Sequence, residues 1–307
     1  FRNSFKLMIL SLTGVIFFAG ILAAIPFFDY KSFNHSVLKQ TVGYNYTIDL
    51  PNAESSKGYL RMSLIEDLYI GYPKKGNIDS AVVVVKNNLI PLTKNNLSEW
   101  LKRSKNNSGD FGSRPLTIAF RCDRNVKTGD VIAIIDLLRE NDIRLLTFMT
   151  DQRRGLDMVL RPTFQELTPD TPGWLPSLRE ESNKLKSKKT LKIKLVNSRF
   201  SVNDTLETAA ALAKRIEFFT LKNIGNYHID IEIDKVSSYQ SFVQLYDLMC
   251  QSIYLNRMEF ARRNLSKEYD PSKNWDSSLQ DTLSQVFPLN LWLLNEKERV
   301  FVQKNID

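Results

Sequence analysis

The sequence predicts an α/β (α+β) chain. It consists of a single N-terminal transmembrane helix followed by two tandem small α/β sandwich domains, each a sheet covered by two helices. Three observations carry the prediction. Residues 7–28 form an apolar run without a charge. Behind it, strand-like and helix-like hydrophobic periods alternate. That pattern then recurs at a spacing of about 110 residues.

The composition is that of a folded protein. Of 307 residues, 43% are hydrophobic and 25% charged, and 42 Lys+Arg against 34 Asp+Glu leave a formal charge of +8. The length fits two folded units plus an extra segment. Two histidines and two cysteines leave too few ligands for most zinc sites and for a disulfide scaffold. Cys122 and Cys250 read as free, small apolar residues. No phosphate loop, nucleophile elbow or paired-cysteine motif occurs. His228, with Asp230 two residues on, reads as an exposed strand histidine. Glu66 and Asp67 read as a surface turn or helix end. The chain is therefore not expected to be an enzyme, and no cofactor or metal is expected.

The apolar run of 22 residues spans about 33 Å as a helix, enough for a hydrocarbon core of about 30 Å. Its only strongly polar side chains are Ser11 and Thr13. Arg2 and Lys6 precede it and Ala23-Ala24 closes it, so a cleavable leader is the alternative to an anchor. The flanking charges favour an inside N-terminus only weakly, because Lys31 and Lys39 follow the run. The chain opens on Phe1 rather than Met, and further residues are expected before it.

The first copy of the repeat has a strand-like run at 81–86 and a capped helix start at Asn96. The strand Leu116-Thr117-Ile118-Ala119-Phe120 leads to Asp123, and Val131, Ile134, Ile135 and Leu138 form a helix stripe ending near Asn141. The second has a strand at 191–196 and a helix start at Asp204 with Glu207 as capping partner, whose face is Leu206, Ala209, Ala210 and Ala213. Its strand 229–233 leads to Asp234, and Phe242, Leu245, Tyr246 and Met249 form the matching stripe. The interval from Asp123 to Asp136 equals that from Asp234 to Asp247. These carboxylates read as caps or solvated groups rather than an acid/base pair. Each copy is expected to close on a strand, at 143–149 and 253–260.

A connector with Pro162, Pro169, Pro172, Gly173 and Pro176 joins the copies as a stiff, non-helical link. A basic run follows. Lys184, Lys186, Lys188 and Lys189 are candidate contacts for an anionic polymer or lipid headgroups, against the plainer reading of a solvated strand face. Nucleic acid is not an expected partner. The stretch Leu279, Leu283, Val286 and Phe287, broken by Pro288, predicts an amphipathic helix packed on the second domain. The expected divisions are 1–28, 29–79 as an extended linker, 80–161, 162–189 as the connector, 190–270, and a helical extension at 271–307.

Taken together, these landmarks resemble the ExbD/TolR family of membrane motor subunits. The resemblance rests on the apolar helix ending Ala23-Ala24-Ile25-Pro26 and the extended Ile48-Asp49-Leu50-Pro51-Asn52-Ala53. It also rests on Arg114 through Val126 as strand and turn, and on the helix carrying Asp136-Leu137-Leu138-Arg139-Glu140. It covers the anchor to about residue 150, with a divergent second copy behind. It implies a single-pass protein of the bacterial inner membrane with its folded part in the periplasm. The implied setting is a proton-driven ring motor serving transport or force transmission. The implied partners are a multi-span ExbB/TolQ-like ring subunit, a second ExbD-like chain in a dimer or heterodimer, membrane lipid, and peptidoglycan or an outer-membrane client. Asp49, Leu50 and Pro51 match the segment that in relatives pairs with the folded domain or gates the ring.

The family's membrane carboxylate is missing. Its place falls near Leu12-Thr13, and no acid occurs between Phe1 and Phe28. Ser11 and Thr13 hydrogen-bond but do not titrate near neutral pH. The chain is thus expected to be a non-protonating partner of an Asp-bearing paralogue. The alternative is a tethered periplasmic binding module without motor activity.

Overall fold

The structure, a computed structural model, describes residues 46–58, 65–73, 82–85, 88–91, 94–107, 116–141, 143, 145–151, 154–159, 188–270, 277–289 and 291–292. Residues 7–28 lie outside this set, with Ser11, Thr13, Lys184 and Lys186. No helix among the described residues is long and apolar enough to cross a membrane.

The chain is mixed α/β, with two sheets and, among the described residues, five helices. In the first copy a meander of β3 (Ile65–Pro73), β4 (Val82–Val85) and β5 (Asn88–Pro91) leads to α1 (Lys94–Asn107). Strand β6 (Thr117–Cys122), α2 (Thr128–Glu140), β7 (Leu145–Met149) and β8 (Arg154–Val159) follow. Two short strands, β1 (Tyr46–Thr47) and β2 (Lys57–Gly58), join the same sheet through β3 and β8. The second copy runs β9 (Lys189–Val196), β10 (Arg199–Val202), β11 (Thr205–Glu207), α3 (Ala209–Lys222), β12 (Tyr227–Ile233) and α4 (Tyr239–Asn264). It ends with α5 (Ser277–Val286) and β13 (Leu291–Trp292).

The strand orders match. β5-β4-β3-β6-β7 in one sheet answers β11-β10-β9-β12-β13 in the other, with the last three strands of each series parallel. Both crossovers in each copy step the same way along the sheet, so right-handed connections place both helices on one face.

Local chemistry explains the second sheet. Along β9, Leu191, Ile193 and Leu195 are buried while Lys192 and Val196 face out, the two-residue period of a half-buried strand. Asn197 and Ser198 join β9 to β10, and Asn203 and Asp204 join β10 to β11; all four have positive φ. Two-residue links of that kind are the primed turns that suit hairpin twist, and Asn and Asp tolerate the left-handed region best after glycine. In α2 and α4 the predicted stripes are the buried ones: Val131, Ile134, Ile135, Leu138, and Phe242, Leu245, Tyr246, Met249.

Several expectations are corrected. Glu66 and Asp67 lie inside β3, a central strand within the stretch expected to be an extended linker. Arg121 on the neighbouring strand donates to Asp67 at 2.7 Å and settles its charge. The equivalent of β9 is therefore β3, and β4, within the run at 81–86, is the counterpart of β10. Helix α1 begins at Lys94, so Asn96 lies inside it. Asp204 caps no helix: it turns a hairpin, Leu206 is 62% exposed on β11, and Thr208 is the N-cap, accepting from the Ala211 amide at 3.2 Å. The buried face of α3 is Leu212, Ile216 and Thr220. Residues 253–260 form no strand. They continue α4, because Ile253, Asn256, Arg257 and Ala261 keep the helical period on its buried side. The third parallel strand comes from β13, in the expected helical extension, and α5 buries Leu279 and Leu283 beside Ala261 as predicted.

Candidate functional site

The two copies meet at their βα turns. After β6 and after β12 the chain runs through 124–129 and 235–240, and these segments lie antiparallel with Lys127 bridged to Ser238. The Thr128 amide donates to the Ser237 carbonyl at 2.9 Å, and the Tyr239 amide donates to the Val126 carbonyl at 2.7 Å. Gly129 donates to Lys235 at 3.1 Å, and Gln240 donates to Arg124 at 2.9 Å. Asp123 and Asp234 lie 111 positions apart in the sequence. Adding that shift turns Thr128 and Val126 into Tyr239 and Ser237, and Gly129 and Arg124 into Gln240 and Lys235. The four bonds are two reciprocal pairs, the signature of an isologous contact with a local two-fold axis at Lys127–Ser238.

Beneath this seam lies one continuous core. Phe148 makes edge-on contacts with Tyr239, Phe242 and Tyr246 at centroid distances of 6.2, 5.2 and 5.7 Å, and with Phe120 at 6.1 Å. Aromatic side chains of both copies thus share one desolvated cluster. The Tyr239 hydroxyl is fully buried without a hydrogen-bond partner, and burial pushes its ionisation up. A Cβ on Gly129 would stand 3.0 Å from the Lys235 carbonyl oxygen and its Cβ, so a side chain there would push the two turns apart by a few tenths of an ångström.

An extended strap, residues 48–56, crosses the seam. Ile48 and Leu50 pack on Ala119 and Met149, on the sheet face away from the helices. The Asp49 amide donates to the Asp123 carboxylate at 2.9 Å, and Arg124 closes an ion pair on Asp49 at 2.9 Å. The Asp151 amide donates to the Pro51 carbonyl at 3.1 Å. Beyond the ends of β6 and β7 the strap reaches α4 of the other copy. Asn52 and Gln240 exchange two hydrogen bonds, at 3.0 and 3.2 Å. The Glu54 and Ser55 amides donate to Asp247 at 2.8 Å each, and the Ser55 hydroxyl joins them. Asp49, Leu50 and Pro51 are therefore held by their own chain, Leu50 and Pro51 buried.

The equivalent aspartates differ. Asp123 accepts from its own turn at Asn125 and from the strap. Asp234 accepts from its own turn at Ser237 and from Asn197. Burial pushes the Asp234 carboxyl up, but hydrogen bonds from Ser237, Asn197 and Val236 outweigh it and hold the group below the usual carboxylate range. Asp247 is buried rather than solvated, and Asp136 pairs with Arg139 at 3.1 Å. His228 is buried rather than exposed, because the first three residues of β12 are covered on both faces. Cys122 and Cys250 are both buried, and neither is in a disulfide.

A second feature lies on the second copy. A groove of about 670 Å³ opens between the start of β9 and the C-terminal half of α3. Lys189, Lys192, Arg215 and Lys222 line it with Leu191 and Phe218, and no carboxylate does among the described residues. Arg215 is also ion-paired to Glu207. Of the predicted basic contacts, Lys189 lines this groove and Lys188 precedes it. Arg215, Phe218 and Lys222 were not legible as a site. The available signal was Phe218, 67% exposed, on the face of α3 opposite Leu212 and Ile216. Among the described residues no cluster of His, Cys, Asp and Glu is arranged to hold a metal. Comparison of the chain with family models, curated proteins and solved structures found no match.

Proposed function

We propose that the chain is a membrane-anchored coupling subunit of the ExbD/TolR kind. In this reading residues 7–28 anchor it in a bacterial inner membrane and the two copies lie in the periplasm. It belongs to a proton-driven ring motor and passes force toward the envelope. It does not carry protons itself, since the membrane segment holds no acid, and an Asp-bearing paralogue supplies that group.

The observation that supports this reading best is the path of the strap across the reciprocal seam. Tension arriving from the anchor side enters at Ile48 and is taken up by Asp123 and Arg124 of the first copy. It passes on to Gln240 and Asp247 of the second. The copies in turn are joined by paired backbone bonds and a shared aromatic core, so a pull moves them as one body. Two copies in one chain also provide the paired outer part that the resemblance assigns to a dimer.

The test is gentle solubilisation of the native membrane complex, followed by mass spectrometry of its subunits. The expected result is a multi-span ring partner together with an ExbD-like chain bearing a membrane aspartate. A chain that comes out with no ring partner, and whose folded part retains peptidoglycan by itself, would overturn the motor reading in favour of a tethered binding module.

A further inference from the structure

We infer that the start of β9 is a docking edge for an extended acidic peptide, which would add as a strand beside it and lie in the basic groove. This goes beyond the coupling role and does not depend on it.

The pairing registers carry the inference. β12 accompanies β9 along its whole length, from Lys189 beside Tyr227 to Leu195 beside Ile233. β10 does not. Its register runs from Arg199 opposite Val196 to Val202 opposite Ile193, where the chain leaves through the Asn203-Asp204 turn. Among the described residues, no strand pairs with the β10 side of β9 from Lys189 to Lys192. Backbone groups alternate sides along a strand. The Lys189 amide donates toward β12, to the Asn226 carbonyl, and the Leu195 carbonyl accepts from Asp234 on the same side. The amide and carbonyl of Thr190 and the amide of Lys192 therefore face the notch, while the Lys192 carbonyl lies against Asn203 where β10 ends. An open edge of this sort is a template for strand addition.

The walls specify the guest. Lys189, Lys192 and Lys222 present three cations beside Arg215, whose charge Glu207 already answers, with no carboxylate among the described lining residues, and Phe218 with Leu191 offers an apolar anchor. An extended peptide alternating acidic and apolar side chains satisfies the exposed backbone, the charges and the anchor together. A lipid headgroup answers the charges alone and leaves the strand edge unpaired, so the peptide is the better fit.

The test titrates the full-length chain against a fluorescein-labelled peptide alternating glutamate with valine and phenylalanine. Hydrogen exchange at Thr190 and Lys192 is followed in parallel. Saturable binding that slows exchange at these two amides is expected. Lys189→Glu with Lys192→Glu, and separately Thr190→Pro, should each weaken it by about tenfold or more. The proline variant keeps the charge and spares the β12 ladder, because the Thr190 amide points away from it. Three results would overturn the proposal. The first is absence of binding, and the second is slow exchange at both amides before peptide is added, meaning that the chain already fills the notch. The third is binding insensitive to Thr190→Pro, with equal capture by phosphatidylglycerol vesicles, meaning a charge-only surface. Should the proline variant fail to fold, the exchange measurement on the unaltered chain decides.

Discussion

The two copies share a strand order and meet through equivalent residues, yet they use equivalent aspartates differently. In the first copy Asp123 bonds the strap, and its partner carboxylate across the seam, Asp247, bonds the strap's far end. In the second, Asp234 bonds a hairpin turn of its own sheet. The first sheet has gained strands at its β7 edge, where β8 and β2 extend it. The second has kept a notch beside β9. The two scaffolds share a strand order, and the difference lies in what each leaves open. The first copy is closed by its own chain, and the second presents a basic edge.

The shared aromatic core is the strongest claim in this comparison and the most exposed to failure. Phe148→Ala should cost about 3–5 kcal/mol and lower both copies in a single calorimetric transition. A separate second-copy transition left unmoved would show that the seam couples nothing. Next comes the strap. Asp247→Asn should destabilise by about 1–3 kcal/mol and speed exchange at the Glu54 and Ser55 amides. Asp136→Asn, its counterpart, should leave those two amides as slow as before.

The seam's two-fold symmetry can be tested at a mismatched pair. Gly129→Ala should cost about 1–3 kcal/mol in urea denaturation, since the added methyl meets Lys235 backbone. Gln240→Ala, at the equivalent position, removes only the side-chain bonds to Asn52 and should cost about 1 kcal/mol. A smaller effect is expected at Asp234. Its lowered carboxyl stabilises the fold above the ordinary carboxylate range, near pH 4, and that contribution fades as pH falls through the depressed value. Asp234→Asn should therefore lower stability at neutral pH and flatten the acid limb of the urea midpoint. Smallest of all, Tyr239→Phe removes a buried hydroxyl that has no partner and should be neutral or stabilising by up to about 1 kcal/mol in thermal melts.

Much of the fold was legible where burial follows a simple period. The stripes of α2 and α4, the strands β6, β9 and β12, and the amphipathic α5 all show it in residue type alone. Legibility failed where a charge is answered by a distant residue. Glu66 and Asp67 look like a turn until Arg121 stands beside Asp67. Asn203 and Asp204 look like a helix start, because the same small polar side chains serve caps and left-handed turns. Residues 253–260 mix strand formers (Ile253, Tyr254, Phe260) with helix formers (Leu255, Arg257, Met258, Glu259), and packing against α3 and α5 selects the helix. Of the groove, only Lys189 and its neighbours stood out, since Arg215, Phe218 and Lys222 come from a helix whose polar face looked ordinary.

What the sequence by itself determined is local and periodic: an uncharged apolar run, two rounds of alternating strand and helix, and aspartates at matched positions. Each follows from side-chain hydrophobicity and backbone preference within a few turns of chain. The tertiary structure alone decided that the copies exchange backbone bonds about a two-fold axis, that the strap spans both, and that among the described residues β9 keeps an open edge. Those outcomes depend on which unpaired amides and carbonyls find each other across more than a hundred residues. No local pattern encodes that pairing, because every backbone carries the same donor and acceptor.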